Sequence, residues 1–124
     1  MEWKKTSEGL VKFLDEKMAG RKAERRKMFG FPCYFINGNM AIGTFEDGLI
    51  LRLGTEGRDM AMARHGQLRF FEPRGRTMGE YVVVPQEIRD DAAQFDRLLE
   101  LSMEYVSSLP AKRKKKGKGR SDDG

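Results

Sequence analysis

Two turn signals, set between apolar runs, constrain this chain more than anything else in it. Asn37-Gly38 separates "CYFI" from "NMAIGTF", and "EDG" at 46–48 separates that run from "LILRL". Asn-Gly readily takes the positive φ angles that a two-residue hairpin turn demands, so the stretch beginning at Pro32 is expected to run as three antiparallel strands in a meander. In the third, Leu49, Leu51 and Leu53 share one face and Arg52 points to the other.

The flanking segments change period. Leu10, Val11, Leu14 and Met18 recur at helical spacing with Phe13 broadening the apolar face, and Ser7 stands where an N-cap belongs, so about residues 7–19 read as an amphipathic helix. "RKAERRK" (21–27) is strongly basic and is expected to be a short helical turn or an exposed loop. "TEGRDMAMARHG" reads as a helix with Met60, Ala61 and Ala63 apolar and Gly66 as its stop. "QLRFFE" and "GEYVVVP" read as two more strands around the loop "PRGRTM", with Pro85 ending the second. Asp90 or Asp91 then caps a long helix whose stripe is Phe95, Leu98, Leu99, Met103, Val106 and Leu109, closed by Pro110. The expected fold is α+β with two layers: a five-stranded, mostly antiparallel sheet with helices on one face, in the order α-β-β-β-α-β-β-α.

Charge is distributed unevenly. Residues 112–120, "KRKKKGKGR", hold seven of the 24 Lys and Arg residues, and Asp122 and Asp123 are two of the 19 acids, so residues 1–110 carry 17 of each sign. The net charge of +5 therefore sits in the last residues. The reading is a balanced folded domain over 1–110 and a disordered Lys/Gly-rich tail over 111–124, with nothing apolar to bury. Cys33 is the only cysteine, which forbids an internal disulfide and suits a reducing cytoplasm. No signal peptide or membrane span is evident, so a soluble, cytoplasmic protein is expected.

"KMFGFPCY" (27–34) matches six of eight positions of the aromatic strand with which RNA-recognition modules stack bases, through Lys27, Phe29, Gly30, Phe31, Cys33 and Tyr34. Met28 replaces the glycine, and Pro32 is confined to a sheet edge or a strand start. The helix-first order also differs from that module. The segment is better explained as sheet-end covering by Met28 and Phe29, a bend at Gly30 and a strand launched at Pro32.

"RRKMFGFPCYFINGNMAIG", "DGLILRL", "FEPRGRTMGEYVVVP" and "LELSMEYVSSLP" together resemble the N-terminal domain of the TfoX/Sxy family of bacterial competence regulators, particularly its stand-alone members. The marks are Arg26 with Met28-Phe29-Gly30, Asn37-Gly38 and Met40 in the hairpin, Asp47-Gly48, and Tyr81 with Pro85. Many members carry a second glycine after Met-Phe-Gly, where this chain has Phe31. The resemblance covers about residues 7–110 and implies an α+β layer like that of secretion chaperones. For two-domain members it implies a regulatory role in transcription, and no chemistry for a lone domain.

Few residues invite catalysis. Cys33 and His65 are the only thiol and imidazole, and nothing in their spacing brings them together; "FPCYF" is too apolar for a catalytic thiolate. His65 beside Gly66 suits a cation or donor at a helix C-terminus. Asp90-Asp91 suits capping better than acid–base work. No metal-ligand spacing, phosphate loop or nucleophile elbow is present, so no catalytic, cofactor or metal site is expected and the protein is read as non-enzymatic. What remains is contact with macromolecules. A protein partner or a second copy would meet an exposed strand edge or the uncovered sheet face, for which Phe35, Phe45 and Tyr81 are candidates. The alternative is loose, non-specific nucleic-acid binding through Arg21, Lys22, Arg25, Arg26 and Lys27 together with Lys112, Arg113, Lys114, Lys115, Lys116, Lys118 and Arg120; such a Lys-rich end also solubilises a domain.

Overall fold

The computed structural model describes residues 5–112. Its strands are β1 (Glu24–Met28), β2 (Phe31–Ile36), β3 (Asn39–Phe45), β4 (Gly48–Arg52), β5 (Arg69–Phe70) and β6 (Tyr81–Val84). Its helices are α1 (Glu8–Met18), α2 (Gly54–Arg64), α3 (Gln86–Arg89) and α4 (Ala92–Ser108), with a 3-10 turn at Pro73–Gly75. The strands form one sheet in the order β1-β2-β3-β4-β6-β5, and every neighbouring pair is antiparallel. The chain leaves β4 through α2, runs along the far edge as β5 and returns to fill the slot between as β6.

The sheet has six strands rather than the expected five. The additional one is β1, formed from basic residues expected to make a helical turn or loop. It forms because Phe29 and Gly30, with φ of 54° and 84°, make a two-residue turn that sets Met28 opposite Phe31 and the rest of β1 against β2. Phe29 is 76% exposed and Met28 40%, so neither covers the sheet end as expected. β5 is also shorter than the "QLRFFE" run, pairing only through Arg69 and Phe70.

Pro32 lies in an interior strand, at its second residue. Pairing of β2 with β3 starts only at Cys33, so no ladder bond is asked of the missing N–H. The Pro32 carbonyl instead accepts from the Thr44 hydroxyl at 3.2 Å.

The helices gather on one face, as expected. Leu10, Leu14 and Met18 of α1 and Phe95, Leu98 and Leu99 of α4 bury against Tyr34, Ile42, Leu49, Leu51, Val82 and Val84; Phe13 and Phe95 meet edge to face at 5.0 Å. Each fully buried Leu, Val or Phe here contributes about 1.5–3 kcal/mol of apolar transfer. Ser7 caps α1, its hydroxyl accepting from the Leu10 amide at 3.1 Å, and Asp91 rather than Asp90 caps α4. Two ion pairs, Lys17–Asp96 and Arg21–Glu100, both 2.8 Å, clip α1 to α4. After α4 the chain returns to the β2–β3 turn: the Lys112 amide donates to the Asn37 carbonyl at 2.7 Å, and Asn39 Nδ2 donates to the Pro110 carbonyl at 3.0 Å. Arg113, Lys114, Lys115, Lys116, Lys118 and Arg120 lie outside the described residues.

Candidate interaction site on the open face of the sheet

The face opposite the helices carries its own apolar cluster. Cys33, Met40, Ile50 and Phe71 are buried there, with Phe35, Phe45, Tyr81 and Val83 packed half-buried around them. Strand alternation puts these residues on one side. Four aromatic rings run across the sheet, with centroids 5.2 Å apart from Phe31 to Phe45, 5.1 Å from Phe45 to Phe71 and 6.1 Å from Phe71 to Tyr81. The three expected face residues are therefore on this face, and each spends part of its surface on its neighbours.

The 71–80 loop folds back over part of the face. The Met78 amide donates to the Phe71 carbonyl at 2.8 Å, and Arg58 of α2 donates to the Gly79 carbonyl at 2.6 Å. Between this loop and the β2–β3 end of the sheet lies a cleft of about 650 Å³, lined by Met28, Phe35, Met40, Arg52, Met78 and Tyr81 among others. Arg76 and Lys112 add positive charge to its lining. On its floor Arg52 Nε donates to Glu80 at 2.8 Å, with the guanidinium 5.7 Å from the Tyr81 ring centre. Burial comes first among the causes that push the Tyr81 phenol above its ordinary range, so it enters this cleft as a neutral donor.

The resemblance motifs converge here. Met28, Gly38, Met40 and Tyr81 line the cleft, and Arg26 lies over the Phe35 ring at 4.7 Å. Phe29 and Gly30 form the adjacent hairpin tip, and the Asn37 carbonyl holds Lys112. Asp47, Gly48 and Pro85 stand apart, in a second cleft of 540 Å³ at the β3–β4 turn. Arg52, Arg76, Met78 and Glu80 were not singled out from sequence; the sole signal was Arg52 facing away from the three leucines.

The basic cluster is divided by β1. Arg25 pairs with Asp15 through two bonds of 2.9 and 3.1 Å on the helix side, whereas Arg26 pairs with Glu24 at 2.9 Å on the open side. Arg21 is held by Glu100. Lys22 and Lys27 are exposed and make no ion pair among the described residues.

Cys33 and His65 occupy opposite layers. Cys33 is buried in the open-face cluster, its thiol directed to the Phe31 carbonyl at 3.4 Å, and burial pushes its pKa up to about 11. His65 ends α2 and its Nδ1 lies 2.7 Å from Gln94 Oε1. Gln94 Nε2 donates to Asp91 at 2.7 Å, so Gln94 Oε1 must accept, and His65 Nδ1 carries the proton. The imidazole thus ties α2 to the capped start of α4. His65 also lines a groove of 960 Å³ between those helices, where Met60 and Leu101 are exposed. Among the described residues no group of three or more His, Cys, Asp or Glu is placed to hold a metal ion, and no helix is long and apolar enough to cross a membrane.

These features define a two-layer α+β domain with helices on one face and a cation-bordered aromatic cleft on the other. Residues 17–106 match the TfoX N-terminal domain, and the chain belongs to that family. No curated protein and no solved structure matches it.

Proposed function

We propose that this protein is a non-enzymatic, cytoplasmic regulatory domain that works by contacting another macromolecule through its open sheet face, in the control of transcription. Family membership supports a regulatory or interaction role. The observation that carries the reading is the pairing of exposed apolar side chains with positive charge that makes no ion pair among the described residues, at one cleft: Met28 and Met78, 40% and 38% exposed, border it beside Arg76 and Lys112. At the hairpin tip next to Met28, Phe29 is both exposed and held at φ 54°. A bulky residue in that region costs about 1–2 kcal/mol, and such strain concentrates where a surface is used. The test is affinity capture from the source cell with the full chain, comparing wild type with Met28→Asp/Met78→Asp. A partner held by wild type and lost by the double variant supports the reading; an unchanged set of partners refutes it.

The second reading, a non-specific nucleic-acid-associated protein, is favoured by Lys22 and Lys27, which are exposed and make no ion pair among the described residues. Binding to single-stranded DNA that survives deletion of residues 111–124 at low salt, and disappears in Lys22→Glu/Lys27→Glu, would support the body as the binder. Loss on deletion alone would assign it to the tail.

A further inference from the structure

We propose that the outer edge of β1 accepts an extended acidic polypeptide segment as a seventh strand. This rests on the reading of the domain as an interaction module and names the chemistry of its partner.

The edge is open among the described residues, because β1 pairs with β2 alone. The Phe29-Gly30 turn makes Met28 and Phe31 the pair that closes the hairpin, and antiparallel alternation then turns the N–H and C=O of Glu24, Arg26 and Met28 toward β2. The same groups of Arg25 and Lys27 point outward. Lys27 and Pro32 form a non-hydrogen-bonded pair, so neither Lys27 backbone group is used by β2. Two donors and two acceptors in this spacing suit another backbone, which supplies both. A phosphodiester strand supplies only acceptors.

Charge then selects among polypeptides. If two copies of β1 paired antiparallel about Arg26, Arg26 would oppose itself and Arg25 would oppose Lys27. Like charges directly opposite are destabilising, so a second copy is disfavoured at this edge. Arg25 and Lys27 lie on the helix-bearing face, and Lys27 makes no ion pair there among the described residues. Arg26 and Met28 lie on the open face. An incoming strand that alternates acidic with apolar residues sets carboxylates beside Arg25 and Lys27 and apolar groups beside Met28. The opposite edge, β5, is only two residues long and offers no comparable ladder.

The probe is a fluorescein-labelled peptide of roughly seven alternating Glu and Val residues, a length that spans one strand, added to the full chain at about 50 mM salt. Saturable binding with slowed amide exchange at Arg25 and Lys27 is expected, with about tenfold weaker binding to Lys27→Glu, whose exposed position leaves the fold intact. Absence of binding, equal binding of a Lys/Val peptide, displacement by an oligothymidylate, or binding without slowed exchange at those two amides would each overturn the proposal. Failure here alongside partner capture that still depends on Met28 and Met78 removes the strand-addition inference and leaves the open-face reading standing.

Discussion

The Ser102 hydroxyl, fully buried on α4, lies 3.1 Å from the Ala41 carbonyl and 2.9 Å from the Arg52 carbonyl. Ala41 occupies the irregularity in the β2–β3 register, where Tyr34 pairs with Ile42 but Phe35 with Met40. One helix side chain thus serves a β-bulge and the end of β4 together. Substituting Ser102→Ala removes the buried donor these two carbonyls share and is expected to cost about 0.5–1.5 kcal/mol. A urea midpoint that falls with an unchanged slope would show it; an unmoved midpoint would mean the carbonyls are satisfied otherwise.

Gly43 and Cys33 are cross-strand partners, and a Cβ on Gly43 would come within 2.6 Å of the Cys33 sulfur. Gly43→Ala is therefore expected to destabilise by about 1–3 kcal/mol through overpacking. In a Cys33→Ala background the nearest clash is gone while the Met40 methyl at 2.9 Å remains, so part of that loss should disappear, giving a coupling of about 0.5 kcal/mol or more in a double-mutant cycle. Strict additivity would contradict the contact.

Cys33 also predicts a rate. With its pKa at about 11 in place of 9.0, the native thiolate population near neutral pH is lower by about a hundredfold, since only the ionised form reacts. Labelling with a thiol reagent should be about a hundredfold slower in the native protein than in denaturant. Native labelling as fast as in denaturant would mean that the thiol stands open to solvent and would return it to the catalytic candidates.

How far the sequence discloses this fold depends on whether an element has one buried face. α1, α4 and the β2–β3–β4 meander do, and their period shows it. β1 does not: Glu24, Arg25, Arg26 and Lys27 are polar on both faces, Arg25 being held by Asp15 of α1 and Arg26 by Glu24 of the strand itself. Its turn is also built from Phe29 at a positive φ where Asn or Gly would announce it. For the site, Phe35, Phe45 and Tyr81 are visible as strand aromatics. The cleft they floor depends on the 71–80 loop, which is held by Arg58 across a gap of 21 residues in sequence. No local pattern encodes that contact.

Gly38 is needed for two reasons at once. Its φ is +84°, and a Cβ there would run into the Lys112 carbonyl. Gly38→Ala should therefore release the Lys112 amide from Asn37 as well as strain the turn, costing about 1–2 kcal/mol. Amide exchange at Lys112 should accelerate more than at Ile42, inside β3. Equal acceleration at both would indicate a general loss of stability rather than release of this strap.

Asp15 sets how the protein responds to acid. Its carboxylate accepts from Arg25 at 2.9 and 3.1 Å and from the Tyr34 hydroxyl at 2.7 Å, joining α1 to β1 and β2. The Arg25 hydrogen bond, against some opposing burial and with help from Tyr34, holds the Asp15 pKa below its ordinary 3.8. Because the folded value is the lower one, the stabilisation is fully present above the unfolded pKa and is lost as pH falls through the folded value. Tyr34 works in the other direction: burial first, then Asp15, raises its phenol above 10.0. Its contribution is present below that value and is lost as pH rises through the higher folded one. The Arg25 and Asp15 side chains are 41% and 39% exposed, so solvent screening keeps the ion pair's share under about 1 kcal/mol. Asp15→Asn should therefore lower the denaturation midpoint modestly at pH 7 and hardly at all near pH 2, flattening the acid limb. Parallel acid limbs for wild type and variant would show that Asp15 is not the group that titrates with folding.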